Sequence, residues 1–305
     1  MRYYQIFPDL YLVDLNQKLN GFRKFISSWV YFTEELTYVV DPGPKSSIEV
    51  LISSLEKIGV KRIDYIFLTH IHIDHAGGAG KLVELYPETK VVCHPQGALH
   101  LVSPDKLWQG SLKVLGDIAR AYKQIIPVPE KNIIFQDEIK ANQDIIKVIK
   151  TPGHAVHHLC FQFRDYLFAG EAAGVSHPLK GRIYTRPATP PKFILEISLD
   201  SLDKIIALEP KTICYGHYGF TRNGLEAVKA AREQIILWVE TVGEQIAEGD
   251  RNWEEKTIMA LMKKDQVFAN YQYLEDDLQS REDYFIGNSI KGIKQYLEGR
   301  ALKVN

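Results

Sequence analysis

Hydrophobic and polar positions follow two different periods along this chain of 305 residues. Short runs rich in aromatic and β-branched residues predict strands at Leu10 to Leu15, Ser28 to Phe32 and Thr37 to Val40. Apolar residues then recur with a helical period from Val50 to Ile58, and a further strand is predicted from Ile63 to Leu68. This strand–helix–strand order repeats, which predicts helices packed on a sheet and ligands at the carboxyl edge of its strands.

The middle of the chain combines a helical stretch, several strands and a long loop. One helical stretch is predicted from Leu107 to Tyr122, and strands are predicted from Ile145 to Lys150, Leu159 to Phe163 and Tyr166 to Ala169. Residues 174–191 are rich in proline and predict a loop. A loop of this length in a compact domain is typical of a lid or a binding loop.

The end of the chain is predicted to be helical. Apolar residues recur with helical spacing from Leu225 to Ile246, which predicts a long amphipathic helix. Two shorter helices are predicted near Glu254 to Lys264 and Asn288 to Glu298. We therefore predict a first domain of residues 1–221 and a helical C-terminal extension of residues 222–305.

Composition excludes several classes of protein. The formal net charge is −1, so no global field attracts nucleic acid or an anionic membrane, and a small-molecule substrate is the expected partner. No apolar run approaches the length of about 18 residues that a membrane span needs, and the N-terminus does not resemble a signal peptide. The three cysteines, Cys93, Cys160 and Cys214, each lie in an apolar run and are predicted to be buried free thiols. These observations together favour a cytoplasmic location.

Candidate chemistry is concentrated in one segment, directly after the strand that ends at Leu68. His70, His72, Asp74 and His75 lie within six residues of one another. While the chain is extended, the first three of these side chains project to the same side, because side chains alternate along a strand. Neutral imidazoles and a carboxylate that converge on one point are typical ligands of zinc, iron or manganese.

This segment and four others resemble the signature of a known family. The run H-x-H-x-D-H from His70 to His75 is similar to that of the metallo-β-lactamase fold superfamily, in particular its glyoxalase II-like and lactonase-like hydrolases. The other matching segments are T-P-G-H ending at His154, F-A-G-E ending at Glu171, G-H ending at His217, and V-D-P-G from Val40 to Gly43. One position departs from the family pattern: Glu171 stands where the family usually has aspartate.

The resemblance implies a fold and a set of metal ligands. The implied fold is α/β, a four-layer αββα sandwich of the metallo-β-lactamase type, here with a helical C-terminal appendage. Two divalent metal ions are implied, with zinc expected and iron or manganese as alternatives. His70, His72 and His154 would bind the first ion, Asp74, His75 and His217 the second, and Glu171 would bridge them. Asp41 is expected to support a ligating histidine.

The resemblance also implies an activity. A metal-bridging hydroxide would attack a small ester, thioester or lactone, with Asp74 as the catalytic residue that orients it and accepts its proton. Two alternatives remain: a mononuclear iron enzyme similar to persulfide dioxygenases, and a non-catalytic metal-binding module of the same fold. Arg182, Tyr184 and Arg186 are candidate substrate contacts, unless their segment is only a solvated surface loop.

Three further expectations concern the tail and the remaining histidines. The helical tail is expected either to cover the active site or form a homodimer, or to pack against the sandwich without a further role. His158 and His94 are predicted to be structural, whereas the sequence leaves the role of His157 undetermined.

Overall fold

Two stacked sheets form the centre of the computed structural model, which describes residues 3–141 and 143–304. The first sheet has seven strands in the order β1-β2-β3-β4-β5-β6-β7. Its first four strands pair antiparallel, whereas β4 to β7 run parallel to one another. These strands are β1 Tyr3–Phe7, β2 Leu10–Asp14, β3 Ser27–Phe32, β4 Thr37–Val40, β5 Tyr65–Phe67, β6 Lys90–Val92 and β7 Ile133–Ile134.

The second sheet has six strands in the order β15-β14-β11-β10-β9-β8. Its one parallel pair is formed by β11 and β14. A separate two-stranded hairpin is formed by β12 and β13. The strands are β8 Glu138–Ala141, β9 Asp144–Lys150, β10 Leu159–Phe163, β11 Tyr166–Gly170, β12 Val175–Leu179, β13 Arg182–Arg186, β14 Thr212–Tyr215 and β15 Phe220–Thr221.

Helices cover the outer face of each sheet. The first six come before the second sheet in the chain: α1 Ile48–Ile58, α2 Ile73–Ala76, α3 Ala79–Leu85, α4 Pro95–Val102, α5 Asp105–Leu115 and α6 Asp117–Tyr122. The last four are α7 Leu195–Ile206, α8 Gly224–Ala247, α9 Trp253–Lys264 and α10 Asp276–Val304. Short 3₁₀ turns lie at Lys45–Ser47, Glu130–Asn132 and Phe268–Tyr273.

Alternation along single strands divides the apolar side chains into three layers. In β11, Phe168 packs between the two sheets, whereas its neighbours Leu167 and Ala169 pack against the helices of the second sheet. In β5, Phe67 joins the layer between the sheets, and Ile66 packs against the helices of the first sheet. This period of two is a direct consequence of strand geometry. The chain therefore forms a four-layer αββα sandwich, as the resemblance implied.

The C-terminal helices belong to one of these outer layers. Residues of α8, α9 and α10 share an apolar cluster with α7 and with the outer face of β10, β11 and β14. No helix within residues 3–141 and 143–304 combines the length and apolar character that crossing a membrane would require. Cys93, Cys160 and Cys214 are free and buried, which confirms the prediction made for them.

Three predicted elements differ from the structure. The loop prediction for residues 174–191 is wrong over the paired strands β12 and β13, because the prolines after Arg186 obscured the strand pattern before them. The helical stretch from Leu107 to Tyr122 is interrupted at Gly116, which has φ 55° and ψ −118°. Helix α10 begins at Asp276, before the predicted start, because its buried apolar face already includes Leu278.

Candidate metal centre

The candidate ligands lie where strands of the two sheets end. His70 and His72 follow β5, and Asp74 and His75 lie in the short helix α2. Glu171 comes directly after β11, and His217 comes two residues after β14. Since β11 and β14 are parallel neighbours, their carboxyl ends meet at the same edge of the second sheet. His154, in the loop between β9 and β10, completes the group.

The seven side chains form two groups that could each hold a metal ion. His70, His72, His154 and Glu171 offer ligand atoms that lie within 4.8 Å of one another. Asp74, His75 and His217 form a second group with the same property. The division is the one that the resemblance implied, so the structure brings all seven predicted ligands together.

Glu171 lies between the two groups and contacts both. Its Oε2 atom is 2.9 Å from Nε2 of His154 and 3.4 Å from Nε2 of His70. Its Oε1 atom is 3.3 Å from Nε2 of His217, and Oε2 is also 3.6 Å from Nε2 of His75. The carboxylate of Glu171 therefore lies within 3.6 Å of imidazoles from both groups, with Oε2 near His70, His154 and His75 and Oε1 near His217.

A buried carboxylate orients two of the histidines. Asp41 accepts hydrogen bonds from the backbone N–H of Thr69 at 2.8 Å and from its hydroxyl at 2.7 Å. Nδ1–H of His75 donates to Asp41 Oδ2 at 3.0 Å. Because the Thr69 hydroxyl proton goes to Asp41, the Thr69 oxygen is left to accept from Nδ1–H of His70, 3.0 Å away. Both imidazoles therefore direct Nε2 toward the site.

The same arrangement holds on the other side of the site. Nδ1–H of His154 donates to the carbonyl oxygen of Ala188 at 3.1 Å, which leaves its Nε2 toward Glu171. His158 accepts from the backbone N–H of Glu171 at 3.2 Å, and its Nδ1 lies 2.9 Å from the Thr151 hydroxyl. These contacts agree with the structural role predicted for His158.

A glycine allows this close packing. Gly170 has φ +51°, a conformation that side chains rarely adopt. A Cβ atom at this position would lie 2.4 Å from Nε2 of His158 and 2.8 Å from Cβ of Thr69. Glycine before Glu171 is therefore required for β11 to deliver the carboxylate at this point.

Burial and neighbouring charges set the protonation of the site. Burial and the adjacent imidazoles hold the pKa of His70 and of His72 well below the usual value, so both rings are neutral near pH 7. Burial opposes ionisation of Glu171, but His154 and His217 outweigh it and hold the pKa of this carboxyl well below its usual range. Burial also opposes the charge on His75, yet Asp74 and Asp41 raise its pKa to about 9.

The donor atoms fit a divalent metal ion. Among the described residues, Nε2 of His70 and Nε2 of His75 are buried and have no hydrogen-bond partner. Buried polar atoms without a partner are costly, and a metal ion would satisfy both. Imidazole nitrogens with carboxylate oxygens are a donor set suited to zinc, iron or manganese.

A cavity of about 710 Å³ opens over this centre. His72, Asp74, His154, Glu171 and His217 form part of its wall, so a substrate could reach both groups. His157 also lines the cavity, and burial lowers its pKa to about 4, which keeps it neutral.

Comparison with known proteins identifies the family. The family model described as the metallo-beta-lactamase superfamily matches residues 21–217. The chain belongs to this superfamily. The matched range includes all seven candidate ligands described above.

Individual relatives agree with this membership. A metallo-beta-lactamase fold-containing protein of Sulfurisphaera tokodaii is 32% identical over 70% of this chain and 78% of its own length. A hydroxyacylglutathione hydrolase of Hydrogenovibrio crunogenus is 24% identical over 74% of this chain and 70% of its own length. The crystal structure of an archaeal superfamily protein from Sulfolobus tokodaii has the same metallo-beta-lactamase fold, with a TM-score of 0.69 and 24% identity over 93% of this chain and 98% of that one.

The candidate substrate residues take positions that favour structural roles. Arg182 is exposed, and its guanidinium lies 4.0 Å from the ring centroid of Tyr273. Tyr184 is fully buried and its hydroxyl donates to Glu282 Oε2 at 3.0 Å. Arg186 lines the cavity, but its Nε–H donates to the same buried carboxylate. The three side chains lie in a hairpin rather than a loop, and their contact with a substrate stays a prediction.

Sequence reasoning missed Phe25, which supports the last ligand. Its ring stacks on the imidazole of His217, with centroids 4.2 Å apart and an interplanar angle of 10°. The side chain is buried and also forms part of the cavity wall. An isolated phenylalanine before β3 carries no motif, so the sequence alone offered no signal for this contact.

A first prediction concerns Asp41, whose φ of 50° suits asparagine as well as aspartate. We expect Asp41→Asn to weaken metal binding about 10- to 100-fold, because the amide no longer stabilises the hydrogen bond from His75. Metal affinity should be measured by competition with a chelator of known affinity. Asp64→Asn is the matched control, since Asp64 also accepts from a backbone N–H, that of Thr37 at 2.8 Å, in the same sheet. Equal affinities for the two variants would contradict the role of Asp41.

Proposed function

We propose that this chain is a metal-dependent hydrolase that cleaves an ester, a thioester or a lactone. It would use two divalent metal ions, with zinc as the expected metal. The observation that carries the proposal is the position of Glu171 between two complete groups of ligands in the wall of one cavity. Similarity to the hydroxyacylglutathione hydrolase of Hydrogenovibrio crunogenus supports hydrolysis as the reaction type.

Each group of residues has a part in this proposal. His70, His72 and His154 would hold one ion, Asp74, His75 and His217 the other, and Glu171 would contact both. Bound divalent ions supply Lewis acidity, which polarises a carbonyl oxygen and lowers the pKa of water toward about 7. Asp41, Thr69 and Ala188 hold the imidazoles in the orientation that binding requires.

Asp74 is the residue best placed to accept a proton from the attacking water and to donate it to the leaving group. Both carboxylates line the cavity, but the Asp74 side chain is 16% exposed, whereas that of Glu171 is 8% exposed and lies beside four imidazoles. In hydrolysis, the oxygen of water bonds to the acyl carbon, and the bond from that carbon to the leaving oxygen or sulfur breaks. Asp74 would accept one proton from water and return it to the leaving group, so that an acid and an alcohol or thiol are released.

Removal of metal provides the direct test. We expect the purified protein to contain two divalent ions per chain and to hydrolyse at least one member of a panel of thioesters, lactones and phosphodiesters. Treatment with a chelator should lower that rate at least about 100-fold, and added zinc should restore it. The controls are chelator already saturated with calcium and measurement of the uncatalysed rate.

Two outcomes would count against the proposal. Absence of chelator-sensitive hydrolysis of every panel member would contradict it directly. A single iron per chain, with oxygen uptake on a persulfide substrate, would instead favour the dioxygenase alternative.

A further inference from the structure

The cavity over the metal centre has walls of two different kinds. The ligand side chains form one end, whereas most of the remaining wall is hydrocarbon. The apolar residues come from separate elements that converge here, and the main ones are Ile71, Leu107, Val114, Leu115, Ile118 and Phe285. Ile118 belongs to α6 and Phe285 to α10, so the cavity joins the N-terminal half of the chain to its last helix.

Helix α5 contributes most to this apolar wall. Leu107, Gly110, Val114 and Leu115 all line the cavity and are spaced as one face of a helix. Despite its amphipathic sequence, α5 has no fully buried residue. Leu107 and Leu115 pack partly against the core, whereas Val114 is exposed, so the apolar face of this helix is only partly covered and leaves apolar surface available to a ligand.

Large apolar side chains are also exposed around the cavity. Val114 is 63% exposed and Val156 is 67% exposed, and Ile194 and Ile197 of the neighbouring segment are 42% and 39% exposed. All four line the same cavity. Such clustering marks a binding surface, because exposed apolar groups that are scattered singly carry no such meaning.

The cavity offers little to a charged ligand. Arg186 is the buried cation in its wall, and its guanidinium is already paired with Glu282. Lys106 and Lys192 are exposed at the surface, where water competes for them. Beyond the ligand side chains, a charged group placed in the cavity would therefore lose its hydration without gaining an unpaired buried partner among the described residues.

We infer that this cavity binds an extended, uncharged apolar acyl group, whose carbonyl end is held at the metal ligands. The reaction itself rests on the proposed function, but the chemistry of the acyl group is read from the cavity wall. A volume of about 710 Å³ is in the range of pockets that enclose drug-sized ligands, and it exceeds what an acetyl group would fill.

Three thioesters test which end of the substrate the cavity selects. We expect the zinc-loaded protein to cleave S-ethyl octanethioate with a kcat/KM at least about 30-fold above that for S-ethyl thioacetate, since a fully buried methylene contributes about fourfold. S-octyl thioacetate carries the same chain on the leaving side. It should show a smaller gain. Equal or larger gain for S-octyl thioacetate would overturn the assignment of the cavity to the acyl group.

A substitution at Gly110 blocks the cavity without disturbing the core. Gly110 lines the cavity, and a Cβ atom built there has no heavy atom within 4 Å among the described residues. We expect Gly110→Phe to reduce the preference for octanoyl over acetyl about 10-fold or more. Gly299→Phe is the matched control, because Gly299 also lies in a helix with open space around it but does not line the cavity. An unchanged preference in Gly110→Phe would contradict the inference.

Binding to the metal-free protein separates this inference from the proposed function. Calorimetry should show that S-ethyl octanethioate binds at least about 10-fold more tightly than S-ethyl thioacetate, and that Gly110→Phe removes the difference. Selective binding without any hydrolysis would support the inference and refute the proposed function. Hydrolysis without chain-length preference, together with equal binding, would refute the inference and leave the proposed function standing.

Discussion

Replacing Glu171 with alanine is expected to remove at least one metal ion per chain and to lower kcat/KM by about a hundredfold or more. The physical reason is that this carboxylate contacts imidazoles of both ligand groups, at 2.9 Å from His154 and 3.3 Å from His217. Without it, two divalent ions would face each other with one negative ligand fewer between them. Metal content per chain and steady-state kinetics are the two measurements.

Glu171→Asp is the matched control for this change. Aspartate keeps the carboxylate, and we expect it to retain both ions, with any loss confined to affinity or rate. A thermal unfolding scan of each variant separates loss of metal from loss of fold. An alanine variant that still holds two metal ions at unchanged affinity would show that Glu171 is not a ligand.

The second large effect is expected on stability. Glu282 in α10 is fully buried and accepts hydrogen bonds from Tyr184, Arg186 and Arg281. Glu282→Gln keeps the shape of the side chain but leaves two buried guanidinium groups without an anion. Breaking a buried pair in this way costs about 3–5 kcal/mol of the free energy of unfolding. Denaturant unfolding of metal-free protein measures this cost.

Asp277→Asn is the matched control for the ion pair. Asp277 accepts from Arg23 at 2.8 Å, but the two side chains are 28% and 37% exposed. Water screens such a pair, so we expect a loss of at most about 1 kcal/mol. A comparable loss of unfolding free energy in both variants would mean that burial of the Glu282 ion pairs adds no stability beyond that of an exposed pair.

The cost of Glu282→Gln should also depend on pH. Burial opposes ionisation of Glu282, but Arg186 and Arg281 outweigh it and lower its pKa from 4.5 to about 2. A depressed carboxyl pKa contributes stability above the unfolded pKa, and this contribution is lost as the pH falls through the folded value. The difference in unfolding free energy between wild type and variant should therefore shrink between pH 4.5 and pH 2.

The buried pair is connected to the metal centre. Arg281 also lies over the ring of Phe25, with its guanidinium carbon 4.2 Å from the ring centroid, and Phe25 in turn stacks on His217. Helix α10 therefore supports the second ligand group from behind. The C-terminal helix thus contacts the candidate metal centre through Phe25, although all the candidate ligands lie before residue 218.

Local sequence patterns identified most strands and helices and the first four candidate ligands, whereas the fold type came from the family resemblance. Short apolar runs predicted strands such as Tyr166 to Ala169, because the two faces of a strand in this sandwich are both buried, in different layers. The run from His70 to His75 could be predicted as a metal-binding segment from its spacing alone, because that spacing already brings the side chains together. His154, Glu171 and His217 could be proposed only through the family resemblance, because nothing local links them to that run.

Only the tertiary structure decided what the polar side chains contact. Arg186 and Tyr184 were expected to contact a substrate. In the structure both donate hydrogen bonds to the buried carboxylate of Glu282, about a hundred positions later in the chain. The apolar face of α5 would ordinarily be assigned to the core, but it packs only partly against the core and also lines an open cavity. In each case the residue that makes the deciding contact is distant in sequence. A pattern of residue types predicts that a side chain needs a partner, but it does not predict which residue that partner is.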